Sequence, residues 1–102
     1  MPRFTRYICK PELLPTVEAV LAAHGHTIAI PPHHAPNGAS AMVMTSGVTS
    51  VLLTQTPEHG HAEIEVWGPA QAATVQVLEA APIELYKQPC DAPALSSEGS
   101  EL

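Results

Sequence analysis

Basic residues are scarce in this sequence of 102 amino acids. It contains 4 lysine and arginine residues against 10 aspartate and glutamate residues, which gives a formal net charge of −6. Three of the acidic residues fall within the last dozen positions, so the rest of the chain carries seven acids, four bases and a net charge of −3. A surface that follows a phosphate backbone needs many more cations. We therefore expect no nucleic-acid partner.

The chain also has no long apolar run and only two cysteines. No apolar run reaches the roughly 20 residues that a transmembrane helix needs, and the chain does not open with the pattern of a signal peptide. Two cysteines, Cys9 and Cys90, are too few for a disulfide framework. From these features we expect a cytoplasmic protein without a membrane span.

The remaining composition is that of one folded domain with an aliphatic core. Hydrophobic residues make up 45% of the sequence, charged residues 14% and aromatic residues only 4%. We assign a single α+β domain to residues 1–88. Residues 89–102 are rich in proline, serine and acidic residues, which predicts a flexible acidic C-terminal tail.

Hydrophobic periodicity predicts two helices among several strands. Alternation with period two is typical of strands, and apolar residues spaced i, i+4, i+7 and i+8 are typical of a helical face. A proline-rich segment between the second strand and a hairpin predicts a loop. The predicted strands cover residues 4–9, 27–30, 61–67 and 83–87, the helices 12–24 and 69–80, the loop 31–40, and the hairpin strands 41–45 and 48–56, with the turn at Ser46-Gly47.

This order of elements predicts a ferredoxin-like split β-α-β sandwich with an extra hairpin. Two helices would cover one face of a mainly antiparallel sheet. Cys9 ends the first strand and Cys90 follows the last one, so we expect two free thiols at opposite ends of the sheet. The open face would carry Glu63, Glu65, Trp67, Glu84 and Tyr86, with Tyr7 as a candidate sixth member.

Apolar residues outside the expected core indicate self-association. Open sheet faces that bear aromatic residues are typical of partner surfaces. In the second helix, Val75 and Leu78 fall outside the apolar stripe formed by Ala70, Ala73, Val77 and Ala80, so either the stripe is wider or these two residues pack against another chain. We therefore predict a dimer or trimer with an interface at Trp67, Val75, Leu78 and Tyr86.

All six histidines lie between residues 24 and 61, and they occur in three pairs. Neutral imidazole is a common ligand of zinc, nickel and copper. If strands 27–30 and 61–67 are antiparallel neighbours, two of the pairs meet at one end of the sheet, while His24 and His26 lie at the other end. The predicted metal site is His33, His34, His59 and His61, and a small-ligand site would add Asn37 and Gly38. The alternative is a set of ordinary turn histidines that bind no metal.

Two segments of the chain are similar to PII-like signalling proteins. Residues 7–13 (YICKPEL), 17–21 (VEAVL) and His24-Gly25 resemble the opening strand and helix of that family, and residues 62–66 (AEIEV) resemble its second half. The family is trimeric, has a long loop between its second and third strands, and binds nucleotides or other small effectors between subunits. The resemblance implies a non-catalytic regulatory module that binds a nucleotide or another small molecule as a homo-oligomer.

The N-terminus resembles a different family. Pro2 follows Met1, so removal of the methionine would leave a proline amine at the head of the first strand. This is similar to the tautomerase family, in which an N-terminal proline acts as general base. Arg3 and Arg6 would then bind a carboxylate substrate. The alternatives to a small-ligand sensor are thus a tautomerase-type enzyme using Pro2, a histidine-based metal-binding protein, and a protein-interaction module.

Overall fold

A six-stranded sheet, antiparallel throughout, organises the fold. The computed structural model describes residues 4–88. The elements are β1 (Phe4–Cys9), α1 (Leu14–Ala23), β2 (Thr27–His34), β3 (Ser40–Ser46), β4 (Thr49–Thr56), β5 (His61–Trp67), α2 (Gln71–Ala80) and β6 (Tyr86–Gln88). Short 3₁₀ turns at Pro11–Leu13 and Pro57–His59 precede α1 and β5. The strand order is β2-β3-β4-β5-β1-β6.

These elements confirm the predicted α+β class with two helices. The strands β1 and β5 have the bounds that their alternation predicts, and every second residue in each is buried. The helix α1 ends where Gly25, with φ 92°, allows the chain to reverse, and the backbone N–H of His26 donates to the carbonyl of Leu21 at 3.0 Å. Among residues 4–88, no helix is long and apolar enough to cross a membrane.

The strand β2 is longer than predicted. It continues through Pro31 and Pro32 to His34, so the prediction of a loop over residues 31–40 is wrong for its first four residues. Proline is tolerated here because β2 is an edge strand that pairs only with β3, and the pairing shifts register twice along its length. All eight residues of β2 are exposed.

Other boundaries differ from the predicted ones as well, among them the start of α1, which is Leu14 and not residue 12. The β3–β4 hairpin turns at Gly47-Val48, one residue later than predicted, and β6 begins at Tyr86 because Ile83 and Leu85 pack against the core outside the strand. The helix α2 begins at Gln71, two residues after Pro69.

Both helices contribute to one core, on a single face of the sheet. Tyr7 is 1% exposed and Leu78 is 0% exposed. The Tyr7 hydroxyl donates to Glu79 Oε2 at 2.7 Å, and burial together with this carboxylate raises the pKa of the phenol. The buried core residues are Tyr7, Cys9, Leu14, Val17, Leu21, Met42, Met44, Val51, Leu53, Ala62, Ile64, Val66 and Leu78.

These positions correct two assignments. Tyr7 does not belong to the open face, and Leu78 belongs to the core of its own chain and not to a surface that a partner could cover. The buried face of α2 consists of Thr74 and Leu78, whereas Ala73 and Ala80 are exposed. Val75 is half-buried, and Trp67 and Tyr86 are exposed.

Some predictions concern residues outside the described part of the chain. Cys9 is a buried free thiol, and burial raises its pKa, with a further contribution from the Glu12 carboxylate. Cys90, the predicted tail at 89–102, Pro2 and Arg3 lie outside the described residues.

Candidate functional site

A cavity of about 340 Å³ lies between the start of α1 and the sheet formed by β2, β3 and β4. The helix starts beside the end of β1, while β2 is at the far edge of the sheet beyond β5, β4 and β3. The buried side of α1 belongs to the hydrophobic core, and a gap remains between the start of the helix and the β2 edge of the sheet. Pro11, Pro15 and Pro32 line the gap with rigid rings.

The cavity combines an apolar floor with a few polar groups. Met42 and Leu53 belong to the core and also line the cavity. Cross-strand pairing joins His34 to Ser40, Ser40 to Gln55 and Gln55 to Ala62. Paired residues share a face of the sheet, and Ala62 is buried under the helices, so the four side chains form a row on the helix-covered face. His34, Ser40 and Gln55 line the cavity as well. Such a mixture is typical of small-molecule sites.

The charge at the cavity is negative. Glu12 and Glu18 line it, and within residues 4–88 no lysine or arginine does so. The charge of Glu12 reaches the neighbouring core, since it helps to raise the pKa of the Cys9 thiol. The cavity is therefore suited to a cation and unsuited to a phosphate.

The structure places only part of the predicted ligand set at this cavity. His34 lines it, whereas His33 pairs with Ala41 and faces the opposite side of the sheet. Asn37 and Gly38 shape the β2–β3 turn: Asn37 Oδ1 accepts a hydrogen bond from Ala39 N at 3.0 Å, and Gly38 has φ 90°. These two residues do not line the cavity.

The predicted four-histidine cluster does not form. His34 is three strand spacings, about 14 Å, from the start of β5, because the β3–β4 hairpin is inserted between β2 and β5. The rings of His59 and His61 do come together, with centroids 5.6 Å apart and planes 24° apart. Their third neighbour is Glu63, and the potential ligand atoms of these three residues all lie within 4.8 Å of one another.

Glu63 was absent from the predicted metal ligands, although the sequence carries the signal for it. Residues i and i+2 of a strand share a face, so the alternation of β5 puts Glu63 beside His61. The distance from His61 Nε2 to Glu63 Oε2 is 3.5 Å.

The first histidine pair lies at the other end of the sheet. His26 is 6% exposed, and its Nε2 is 3.2 Å from Thr74 Oγ1. Its Nδ1 is buried without a hydrogen-bond partner in the described part of the chain. Burial lowers the pKa of His26. His24 is exposed, with Nδ1 3.0 Å from the Val20 carbonyl oxygen.

Contacts within the chain occupy much of the open face. The Arg6 guanidinium donates to Glu65 Oε2 at 2.9 Å, and Trp67 Nε1 donates to Glu65 Oε1 at 3.1 Å. The rings of Phe4 and Trp67 stack with centroids 4.3 Å apart. Arg6 is thus already paired with a carboxylate of its own chain, which weighs against its binding a substrate carboxylate.

Comparison with family models, with curated proteins and with solved structures finds no match for this chain. The similarities to PII-like proteins and to tautomerases stay predictions.

Proposed function

We propose that this chain is a non-catalytic module that binds a small organic amine in the cavity beside α1. The observation that carries the proposal is the cavity itself. Its volume of about 340 Å³ lies within the usual range of ligand pockets, about 300–1,000 Å³. Its floor of Met42 and Leu53 is apolar, and polar side chains line it on two sides.

The class of ligand follows from the charges. Glu12 and Glu18 favour a positively charged group at the helix side of the cavity. Gln55 and Ser40 offer neutral hydrogen-bonding groups at the sheet side, and the apolar floor accommodates a hydrocarbon body. A compact ammonium ion with a short apolar chain meets all three conditions.

The strand order supports the predicted ferredoxin-like arrangement. The strands β5 and β6, joined by α2, lie on either side of β1, and because each is antiparallel to β1 they run in the same direction. We read this as a ferredoxin-like arrangement in which the β3–β4 hairpin widens the sheet. That arrangement is the one implied by the resemblance to PII-like proteins, and with it we propose a regulatory role and a cytoplasmic location.

Self-association is the second part of the proposal. Ile28 and Ile30 of the edge strand β2 are 54% and 55% exposed. An exposed edge strand with apolar side chains is a template for pairing with another chain. We propose that residues 27–30 of β2, which precede the two prolines, pair with the same segment of a second copy, and that this contact reduces the exposure of the two side chains.

The ligand proposal is tested by blocking the cavity. A library of small amines is screened by ligand-observed NMR against the wild-type chain and against Ser40→Phe, which fills the cavity from the sheet side. Ser50→Phe is the matched control because Ser50 is equally half-buried but pairs with Trp67 on the opposite face. We expect binding by the wild type and by Ser50→Phe, and loss of binding by Ser40→Phe.

Neutralising the two carboxylates at the cavity tests whether the ligand is a cation. Glu12→Gln combined with Glu18→Gln should weaken amine binding, whereas Glu58→Gln, on an exposed residue of the second 3₁₀ turn, should leave it unchanged. Equal binding by Ser40→Phe and Ser50→Phe, or no amine bound by the wild type, would contradict the proposal.

A further inference from the structure

We infer that His59, His61 and Glu63 form a binding site for a divalent transition-metal ion such as Zn²⁺. The site lies at the start of β5, on the face opposite the cavity, and does not depend on the proposed amine binding. His59 is exposed, and His61 and Glu63 are half-buried, so the three side chains are accessible from solvent.

The backbone brings the three side chains together. His61 and Glu63 are two residues apart in β5 and share a face of the sheet. His59 ends the preceding 3₁₀ turn, and Gly60 follows it in the left-handed region with φ 69°. This conformation reverses the chain between the two histidines and sets their rings 5.6 Å apart.

The distances leave a small adjustment for metal binding. Zinc bonds to imidazole nitrogen and carboxylate oxygen are about 2.0–2.2 Å long, so tetrahedral ligand atoms lie roughly 3.3–3.5 Å apart. His61 Nε2 and Glu63 Oε2 are already at 3.5 Å. The widest separation in the group is within 4.8 Å, which rotation of the exposed His59 ring would close.

The surrounding charges keep one carboxylate oxygen available. Arg6 Nε is 4.0 Å from Glu63 Oε1, but Arg6 makes its short contact, at 2.9 Å, with Glu65 Oε2. The other oxygen of Glu63 faces His61. Arg6 therefore orients Glu63 from one side and leaves Oε2 for a cation.

The donor set determines the kind of ion. Two imidazoles with one carboxylate suit zinc, nickel and copper, whereas calcium and magnesium prefer oxygen ligands alone. Three protein ligands leave a tetrahedral ion with one open position, which a water molecule or an exogenous ligand would fill.

Calorimetric titration of the untagged full chain with ZnCl₂ tests the site. We expect one ion per chain, and more than about a tenfold loss of affinity in His61→Gln and in Glu63→Gln. His33→Gln is the control, since His33 is an exposed strand histidine on the same face of the sheet but at its far edge. Circular dichroism without metal verifies that each variant is folded.

A second measurement locates the ion. In NMR spectra of the wild type, Zn²⁺ should shift the ring resonances of His59 and His61 and leave those of His24 in place. Proton competition for the imidazoles should weaken binding in acid. Equal affinities for His33→Gln and His61→Gln, or ring shifts at His24 as large as those at His61, would overturn the inference.

Discussion

Replacing Leu78 with alanine tests whether this residue belongs to the core of its own chain or to an interface between copies. Leu78 is 0% exposed and belongs to the core cluster with Val17, Leu21 and Ile64. Removing its three outer carbons costs the lost transfer free energy and leaves a cavity, together about 3–5 kcal/mol for a fully buried leucine. The total stability of a domain of this size is about 5–15 kcal/mol, so the variant should fold with greatly reduced stability.

Urea denaturation at several protein concentrations measures this effect. We expect the midpoint for Leu78→Ala to fall, the slope to stay the same, and the melting temperature to drop by at least about 12 °C. Val75→Ala is the control on the same helix, and because Val75 is half-buried its cost should be below about 1.5 kcal/mol. A loss below about 1 kcal/mol for Leu78→Ala at low protein concentration, with a larger loss only at high concentration where copies associate, would show that Leu78 lies in an interface.

Three further predictions follow from particular residues. A Cβ at Gly68 would lie 2.5 Å from the Val48 carbonyl oxygen, so Gly68→Ala should lower the free energy of unfolding by more than about 2 kcal/mol. Gly25 also has a positive φ but no atom within 4 Å of such a Cβ, so Gly25→Ala should lower it by only about 1 kcal/mol. Denaturation of both variants measures the difference. Burial lowers the pKa of His26 in the folded chain, so the unfolded chain takes up a proton first, at about pH 6.5, and stability should fall below that pH by up to about 1.4 kcal/mol per unit. Thermal melts from pH 8 to 5 should show this loss in the wild type, and a loss of the same size in His26→Asn would refute it. Ile30→Lys should abolish the proposed self-association in sedimentation experiments, and a wild type that is monomeric at micromolar concentration would contradict the proposal.

The strands β1 and β5 could be predicted because their signal is local. Each has one buried and one exposed face, so alternation along the chain reports burial directly. The continuation of β2 through Pro31 and Pro32 could not be predicted in this way. Whether a proline fits a strand depends on whether the neighbouring edge is free, and the edge position of β2 is a property of the whole sheet.

The orientation of α2 shows a second limit. The apolar residues of α2 are spread around the helix and half of them are weakly hydrophobic alanines, so the helix has no sharp apolar face in sequence. The contact between His26 and Thr74 is buried and joins residues 48 positions apart. Together with Leu78, it determines which side of α2 faces the core, and no local pattern contains it.

The candidate sites likewise have parts that local sequence predicts and parts that depend on the whole sheet. The meeting of His59 and His61 could be predicted from the x-Gly-x spacing, and the position of Glu63 from strand alternation. The separation of His34 from them could not, because it depends on where the β3–β4 hairpin enters the sheet. The cavity arises from the gap between α1 and the sheet edge, and no motif in the sequence marks it.

An NMR titration of the ¹⁵N-labelled full chain with n-butylammonium tests the proposed function most directly, since this probe joins a cation to a short apolar chain. We predict saturable shifts of the backbone amides of residues that line the cavity, among them Glu12, Leu14 and Met42. The amides of His59 and Trp67 should not move. Shifts that grow linearly without saturation, or that centre on His59 and Trp67, would contradict the assignment of the cavity as the ligand site.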